Sequence, residues 1–325
     1  MEEILRLFPE PLMQEIRTRL DRRWDKLQEI RCRLQQPIEV IFDHHTEWIE
    51  ACILKPKSMM YMINRLSEFS LYRLEDELRE GYLTIEGGHR IGLAGKVNTR
   101  GGTVKAIQHI AFLNIRIAKE QIGIAQSIMP YVYGQAYWNT LIVGEPQTGK
   151  TTLIRDMARM ISIGWDNIVG KKVAIIDERS EIAASINGVP QHNVGKRTDV
   201  LDACPKAEGM MMMIRSMSPE VLIVDEIGSD LDVKALMEAI NAGVVIICTI
   251  HGRSLTELKK RPSLQPLFQQ RVFQRILLLD RQTGPGQVKR IWNEEEENIL
   301  QKSRCRPNEM DRSTSFNKYN YMGRA

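Results

Sequence analysis

The stretch LIVGEPQTGKTTLIRDMARM, Leu141–Met160, decides the fold. An apolar run ends at Gly144, and after four intervening residues come Gly149, Lys150 and Thr151, the G-x-x-x-x-G-K-[ST] spacing of a phosphate-binding loop. The motif by itself is weak, and its context carries the reading. Beyond it, Leu153, Ile154, Met157, Ala158 and Ile161 recur at helical spacing. Strand, glycine-rich turn and helix therefore follow one another directly. Such a helix start points free backbone N–H groups and its positive end at an anion. The expectation is a site for ATP with Mg²⁺. Gly144, Glu145, Pro146, Gln147, Thr148 and Gly149 wrap the phosphates. Lys150 reaches the β- and γ-phosphates, Thr151 offers its hydroxyl to Mg²⁺, and Thr152 completes the set.

Outward from this loop the text alternates. TLIVG, KVAIID, VLIVD and VVIICTI are apolar runs separated by the helical stretches TTLIRDMARMIS, AEGMMMMIRSM and DVKALMEAINAG. That rhythm implies an α/β fold with a parallel sheet covered on both faces. The run PEVLIVDEIGSD ends in Asp225 and Glu226. At a strand end beside the phosphate loop, Asp225 holds Mg²⁺ directly or through water, and Glu226 orients or deprotonates the attacking water. VAIIDERSEIAAS ends in Asp177, Glu178 and Glu181, which bear on the metal or the water, or else form a solvated strand end paired with Arg179. VVIICTIHGRSL brings His251 to another strand end, either to sense the γ-phosphate or as a satisfied terminal histidine.

Upstream, residues 1–75 read mostly as helices, with Leu12, Ile16, Leu20 and Trp24 on one face. EIRCRLQQPIEVIF switches to alternation, with Ile30, Cys32 and Leu34 on one side. GYLTIEGGHRIGLAGKVNTRGGTVKAI reads as a small meander of hairpins. The expected organisation is an α+β N-terminal domain over 1–120, a helix-and-linker segment over 121–138, the ATPase domain over 139–292 and a polar, mobile tail over 293–325.

Composition removes several classes. The chain has 325 residues, 43% of them hydrophobic and 26% charged, enough for two globular domains. A net charge of +4 does not argue for nucleic acid. The five cysteines are scattered with no Cys-x-x-Cys pair, which disfavours a disulfide framework or a zinc site. The N-terminus is broken by charges and prolines and does not read as a signal peptide. AGVVIICTI is too short to span a bilayer. The expected location is the cytoplasm, peripheral to a membrane complex through partners.

The phosphate loop, IIDERSEI, the strand ending in Asp-Glu and TIHG, in that order, resemble the type II and type IV secretion ATPases. GYLTIEGGHRIGLAGKV, FLNIRIAKE, VGKRTDVLDACPKAEGMMMMIRSMSPEVLIVDEIG and IHGRS look like the stage III sporulation AA family of endospore-forming bacteria. The likeness covers about residues 1–292. It implies a RecA-like P-loop ATPase domain behind a hinged N-terminal domain, a homo-hexameric ring, and membrane-channel subunits of the sporulation machinery as partners. It implies an aspartate-box role for Glu178 and Glu181, the Walker B catalytic role for Glu226 and the histidine-box role for His251. Those ATPases usually carry glycine where this chain has Asp225, and Glu145 adds negative charge to the loop. An arginine that meets the γ-phosphate is also expected, with Arg116, Arg179, Arg197 and Arg253 as candidates. GMMMMIRSM reads as core filling and RTRLDRRWDK as a solvated helical face. The competing function is a nucleic-acid-dependent P-loop ATPase for packaging or remodelling, because one RecA-like architecture serves both.

Overall fold

In the computed structural model of the chain, residues 1–43, 45–67, 81–100, 103–280 and 286–300 are described. Two sheets organise them. The first has six strands: β1 (Leu27–Arg33), β2 (Pro37–Phe42), β3 (Thr46–Ile53), β4 (Tyr82–Ile85), β5 (His89–Arg100) and β6 (Thr103–Arg116). Their order is β3-β2-β1-β6-β5-β4, and every neighbouring pair is antiparallel. Alternation puts Ile30, Val40, Ile91 and Ile115 on one face. The helices Glu2–Leu5, Glu10–Leu20 and Pro56–Leu66 cover that face with Ile4, Leu5, Ile16, Leu20, Met59 and Met62.

Part of the first 75 residues is therefore not helical, since Leu27–Ile53 forms three strands. The helix carrying Ile16 and Leu20 stops at Leu20, where Asp21 takes φ 28°, and Trp24 follows in a 3₁₀ turn. Leu12 and Trp24 still pack on the same core. The expected meander is β4, β5 and β6.

The second sheet has seven strands: β7 (Thr140–Gly144), β10 (Val173–Asp177), β11 (Thr198–Asp202), β12 (Val221–Val224), β13 (Val245–His251), β14 (Arg275–Leu279) and β15 (Val288–Trp292). A two-residue hairpin, β8 (Gly164–Trp165) with β9 (Ile168–Val169), lies outside it. The order is β11-β10-β12-β13-β7-β14-β15, parallel throughout except for antiparallel β15. The sequence rhythm contains β7, β10, β12 and β13; β11, β14 and β15 extend the sheet on both sides. Both faces are buried. Leu141, Val143, Leu222 and Val224 pack with the helices Lys206–Met217 and Asp230–Asn241 on one side. Ile142, Val221, Ile223 and Ile247 meet the helix Lys150–Ile163 on the other. Met210 and Met213 are buried in the first of these cores, while Met212 faces solvent, so the methionine run mainly fills space.

Within 121–138, the stretch expected to be a linker, one short helix is present among the described residues, Met129–Val132. Of residues 293–325, Asn293–Leu300 lies among the described residues. Its Ile299 and Leu300 pack against the second core rather than standing free. Residues 301–325 lie outside the described residues, as does Cys305; the other four cysteines are free thiols. Among the described residues no helix is long and apolar enough to cross a membrane.

Candidate nucleotide site

The turn after β7 is shaped by two left-handed residues, Gln147 at φ 64° and Gly149 at φ 86°. A Cβ on Gly144 would meet Thr148 Oγ1 at 2.4 Å, so only glycine permits this closeness. Thr148 Oγ1 closes the turn by donating to the Glu145 carbonyl at 2.8 Å. Gly149 then starts the helix Lys150–Ile163 with no side-chain cap, which leaves its first amides directed outward. Lys150 is 4% exposed. Its Nζ donates to the carbonyls of Gly144 and Glu145, both at 3.1 Å. Burial holds its pKa below the usual lysine range, opposed by the charges of Glu226, Asp225 and Glu181.

The neighbouring strand ends meet this loop. Thr151 Oγ1 donates to Asp225 Oδ2 at 3.0 Å, and Thr249 Oγ1 donates to the other Asp225 oxygen. Burial raises the Asp225 pKa, and these two hydroxyls pull it back. Glu226 follows in the left-handed region at φ 51°, its N–H donating to Thr249 Oγ1 at 2.9 Å. That backbone twist turns the Glu226 side chain toward His251, whose Nε2 lies 2.6 Å from Glu226 Oε1. His251 Nδ1 lies 3.1 Å from Lys150 Nζ. An ammonium only donates, so Nδ1 accepts and Nε2 carries the proton that faces Glu226. Lys150, His251 and Glu226 thus form one chain, and Arg179 ends it at 2.8 Å from Glu226 Oε2.

The DERSEI stretch divides its carboxylates. Asp177 is 1% exposed and accepts from the backbone N–H groups of Glu181, Ile182 and Ala183 at 2.8, 3.0 and 2.8 Å. Burial pushes its pKa up against those three bonds. Arg155, from the phosphate-loop helix, donates to the carbonyls of Glu181 and Ile182. Together these hold Glu181 at a cleft of about 310 Å³ that Thr151 and Thr152 also line. Glu178 is not brought there; it is exposed and pairs with Lys206. Asp177→Ala should leave two buried amides and one part-buried amide without an acceptor, lowering stability by about 3 kcal/mol. Urea denaturation checks this, with an unchanged midpoint as the contrary result.

The arginines separate as well. Arg253 pairs with Glu145 at 2.8 Å, which draws that carboxylate outward and offsets its charge. Arg197 lies just before β11, at the amino ends of the parallel strands, and donates to the Gly170 carbonyl. That is the opposite end of the sheet from the loop. Arg116, 65% exposed and 3.7 Å from Glu29, lines the cleft with Thr151. So does Arg90, which sequence reasoning missed; it pairs with Glu181 at 2.9 Å and stacks over Tyr82. Nothing in HRIGLAG marks Arg90. Thr249 was missed too, although its two-residue separation from His251 puts both on one strand face. In the arginine-rich helical stretch, Arg17 pairs with Glu2, and Arg19 and Arg23 pair with Glu47.

Among the described residues, no group of three or more His, Cys, Asp or Glu is placed to hold a metal alone. Thr151 and Asp225 supply two oxygens, which fits Mg²⁺, an ion that takes few protein ligands and completes its shell with phosphate and water.

The fold is that of the RecA-like secretion ATPases. The chain resembles the ATPase DotB of Legionella pneumophila (TM-score 0.54, 14% identity, 78% of this chain and 72% of that one). It resembles the pilus retraction motor PilT, solved with bound ADP, to the same degree (TM-score 0.55, 15% identity, 81% and 76%). The chain belongs to the family described as sporulation stage III, protein AA, whose model matches residues 1–299. It is 49% identical over 295 residues to stage III sporulation protein AA of Bacillus subtilis, covering 91% of this chain and 96% of that protein.

Proposed function

We propose that this protein is an ATP-hydrolysing motor of a sporulation trans-envelope channel. It works as a homo-hexameric ring on the cytosolic, mother-cell side of the membrane, peripheral to channel subunits. The observation that supports this best is the single hydrogen-bonded set at the loop. Thr151 and Asp225 are joined at 3.0 Å, and Lys150, His251 and Glu226 at 3.1 and 2.6 Å.

In this reading the amides of Gly149 to Thr152 bind the phosphates. Lys150 exchanges its two carbonyl partners for phosphate oxygens. Thr151 and Asp225 would hold Mg²⁺, which would offset the negative charge of the triphosphate. Glu226 accepts the proton of the attacking water at Oε2 once Arg179 has moved off that oxygen. His251 keeps Glu226 oriented and links it to the occupancy of Lys150.

The ring enters because the cleft beside Thr151 is fringed by Arg116, whose ion pair among the described residues is a long one, 3.7 Å to Glu29. A guanidinium delivered to the γ-phosphate can raise the rate about 10³–10⁵-fold. Turnover per subunit should therefore rise with protein concentration as rings form and close that cleft. Arg116→Ala should flatten the rise, and Arg197→Ala, at the far end of the sheet, should not. A dilution series of ATP turnover tests this. Constant activity from monomer to ring would exclude completion by assembly.

A further inference from the structure

β13 reads Val245-Ile246-Ile247-Cys248-Thr249-Ile250-His251, an apolar strand interrupted by one fully buried polar residue, Thr249. Alternation puts Thr249 on the face of Ile247, which packs with the helix Lys150–Ile163, and of His251. Valine has the shape of threonine, suits a strand as well and carries no hydroxyl to desolvate. Packing alone therefore does not call for threonine here.

Both capacities of the hydroxyl are used, and at one place. Its proton goes to Asp225 Oδ1, and its oxygen accepts the N–H of Glu226 at 2.9 Å. The Thr249 carbonyl accepts the next N–H, that of Ile227, at 3.0 Å. One residue of β13 thus fastens three consecutive residues beyond the end of β12. The middle one, Glu226, stands in the left-handed region at φ 51°. That conformation costs a residue with a side chain about 1 kcal/mol or more, and it persists where the surroundings enforce it. Two residues further along the same strand face, His251 Nε2 meets Glu226 Oε1 at 2.6 Å. β13 therefore holds Glu226 twice, by its main chain through Thr249 and by its carboxylate through His251.

We infer that Thr249 is a positioning residue for ATP hydrolysis, its hydroxyl fixing the backbone of Glu226 so that the carboxylate is presented at the phosphate loop. The inference rests on the reading of Glu226 as the proton acceptor. Without the hydroxyl the Glu226 N–H loses its acceptor, and the twist that aims the side chain loses a tie. Binding should be spared, because the loop amides and Lys150 hold the phosphates and Asp225 keeps the Thr151 hydroxyl at 3.0 Å. Thr249 should therefore act on turnover and not on ATP affinity.

The test places Thr249→Val and Thr249→Ser in the wild-type chain and in the Glu226→Gln chain. Turnover at saturating ATP and Mg²⁺, equilibrium binding of a fluorescent ATP analogue and the urea midpoint are measured for each. In the wild-type chain Thr249→Val should slow turnover about tenfold or more with ATP affinity within about threefold, and Thr249→Ser should stay within about threefold in both. In the Glu226→Gln chain Thr249→Val should change turnover less than about threefold, because residues that act as a unit are not additive. Thr249→Ala against Thr249→Ser, a pair that differs only in the hydroxyl, makes the same comparison should the valine variant not fold. Four results would overturn the inference while leaving Glu226 in its role: wild-type turnover without the hydroxyl, an equal loss in both backgrounds, a serine variant as slow as the valine one, or a loss of affinity matching the loss of turnover. Wild-type turnover in Glu226→Gln alone, which involves no change at Thr249, would remove the Glu226 reading and this inference with it.

Discussion

Lys150→Ala is expected to weaken ATP binding by at least about a hundredfold, since charge-assisted bonds to phosphate are among the strongest a side chain makes. Lys150 is almost fully buried, and its Nζ already points across the loop, bonded to the carbonyls of Gly144 and Glu145. The loop Gly144–Thr151 contains no other lysine or arginine, and Arg253, just after β13, is turned onto Glu145. Burial keeps the ammonium poorly solvated, so a phosphate oxygen gains more from it than from an exposed lysine. Lys150→Arg serves as the charge-retaining control. A planar fork does not occupy a pocket built around a point charge, so it too should bind poorly. Titration with a fluorescent ATP analogue reads the result. Near-normal affinity in the alanine variant would end the phosphate-loop assignment.

Glu226→Gln is expected to separate binding from turnover. Glutamine keeps the length and one acceptor, so the His251 Nε2–H bond to the Oε1 position survives. It cannot take a proton, and turnover should fall about 10²–10⁴-fold while ATP affinity stays within about threefold of wild type. The loss of the Arg179 ion pair should cost little, because Arg179 is 63% exposed and that pair is solvent-screened. Single-turnover hydrolysis alongside binding distinguishes the two effects. Wild-type turnover would pass the proton-accepting role to another carboxylate at the cleft, and Glu181 is the one held there.

Much of the site was legible because it depends on local spacing. The glycines, Lys150 and Thr151 act within one turn and one helix start, so their order in the chain is their arrangement in space. Asp225 and His251 were legible for a related reason. Each ends an apolar run, and parallel strands deliver all their carboxyl ends to one edge of the sheet. The same rule excludes Arg197, which precedes a strand instead of ending one, although β11 is too polar, with Asp199 and Asp202, to have been read as a strand.

Glu178 and Glu181 show where this rule stops. Both follow the same strand end, and the sequence treats them alike. In the fold Asp177 gathers the amides of residues 181–183, and Arg155 holds the Glu181 and Ile182 carbonyls, so Glu181 turns to the cleft and Glu178 to Lys206. The tail shows the same limit. NEEEEN reads as solvent-exposed text, and only the fold brings Ile299 and Leu300 back onto the core.

The sequence by itself determined the parallel α/β architecture and the phosphate loop, because apolar periodicity and glycine spacing act over a few residues. Tertiary structure alone decided the Lys150–His251–Glu226 chain, the meeting of Arg90 with Glu181, and the return of Leu300 onto the core. Each of these joins residues far apart in the chain, and their proximity depends on strand order and on how the domains pack, which no local pattern encodes.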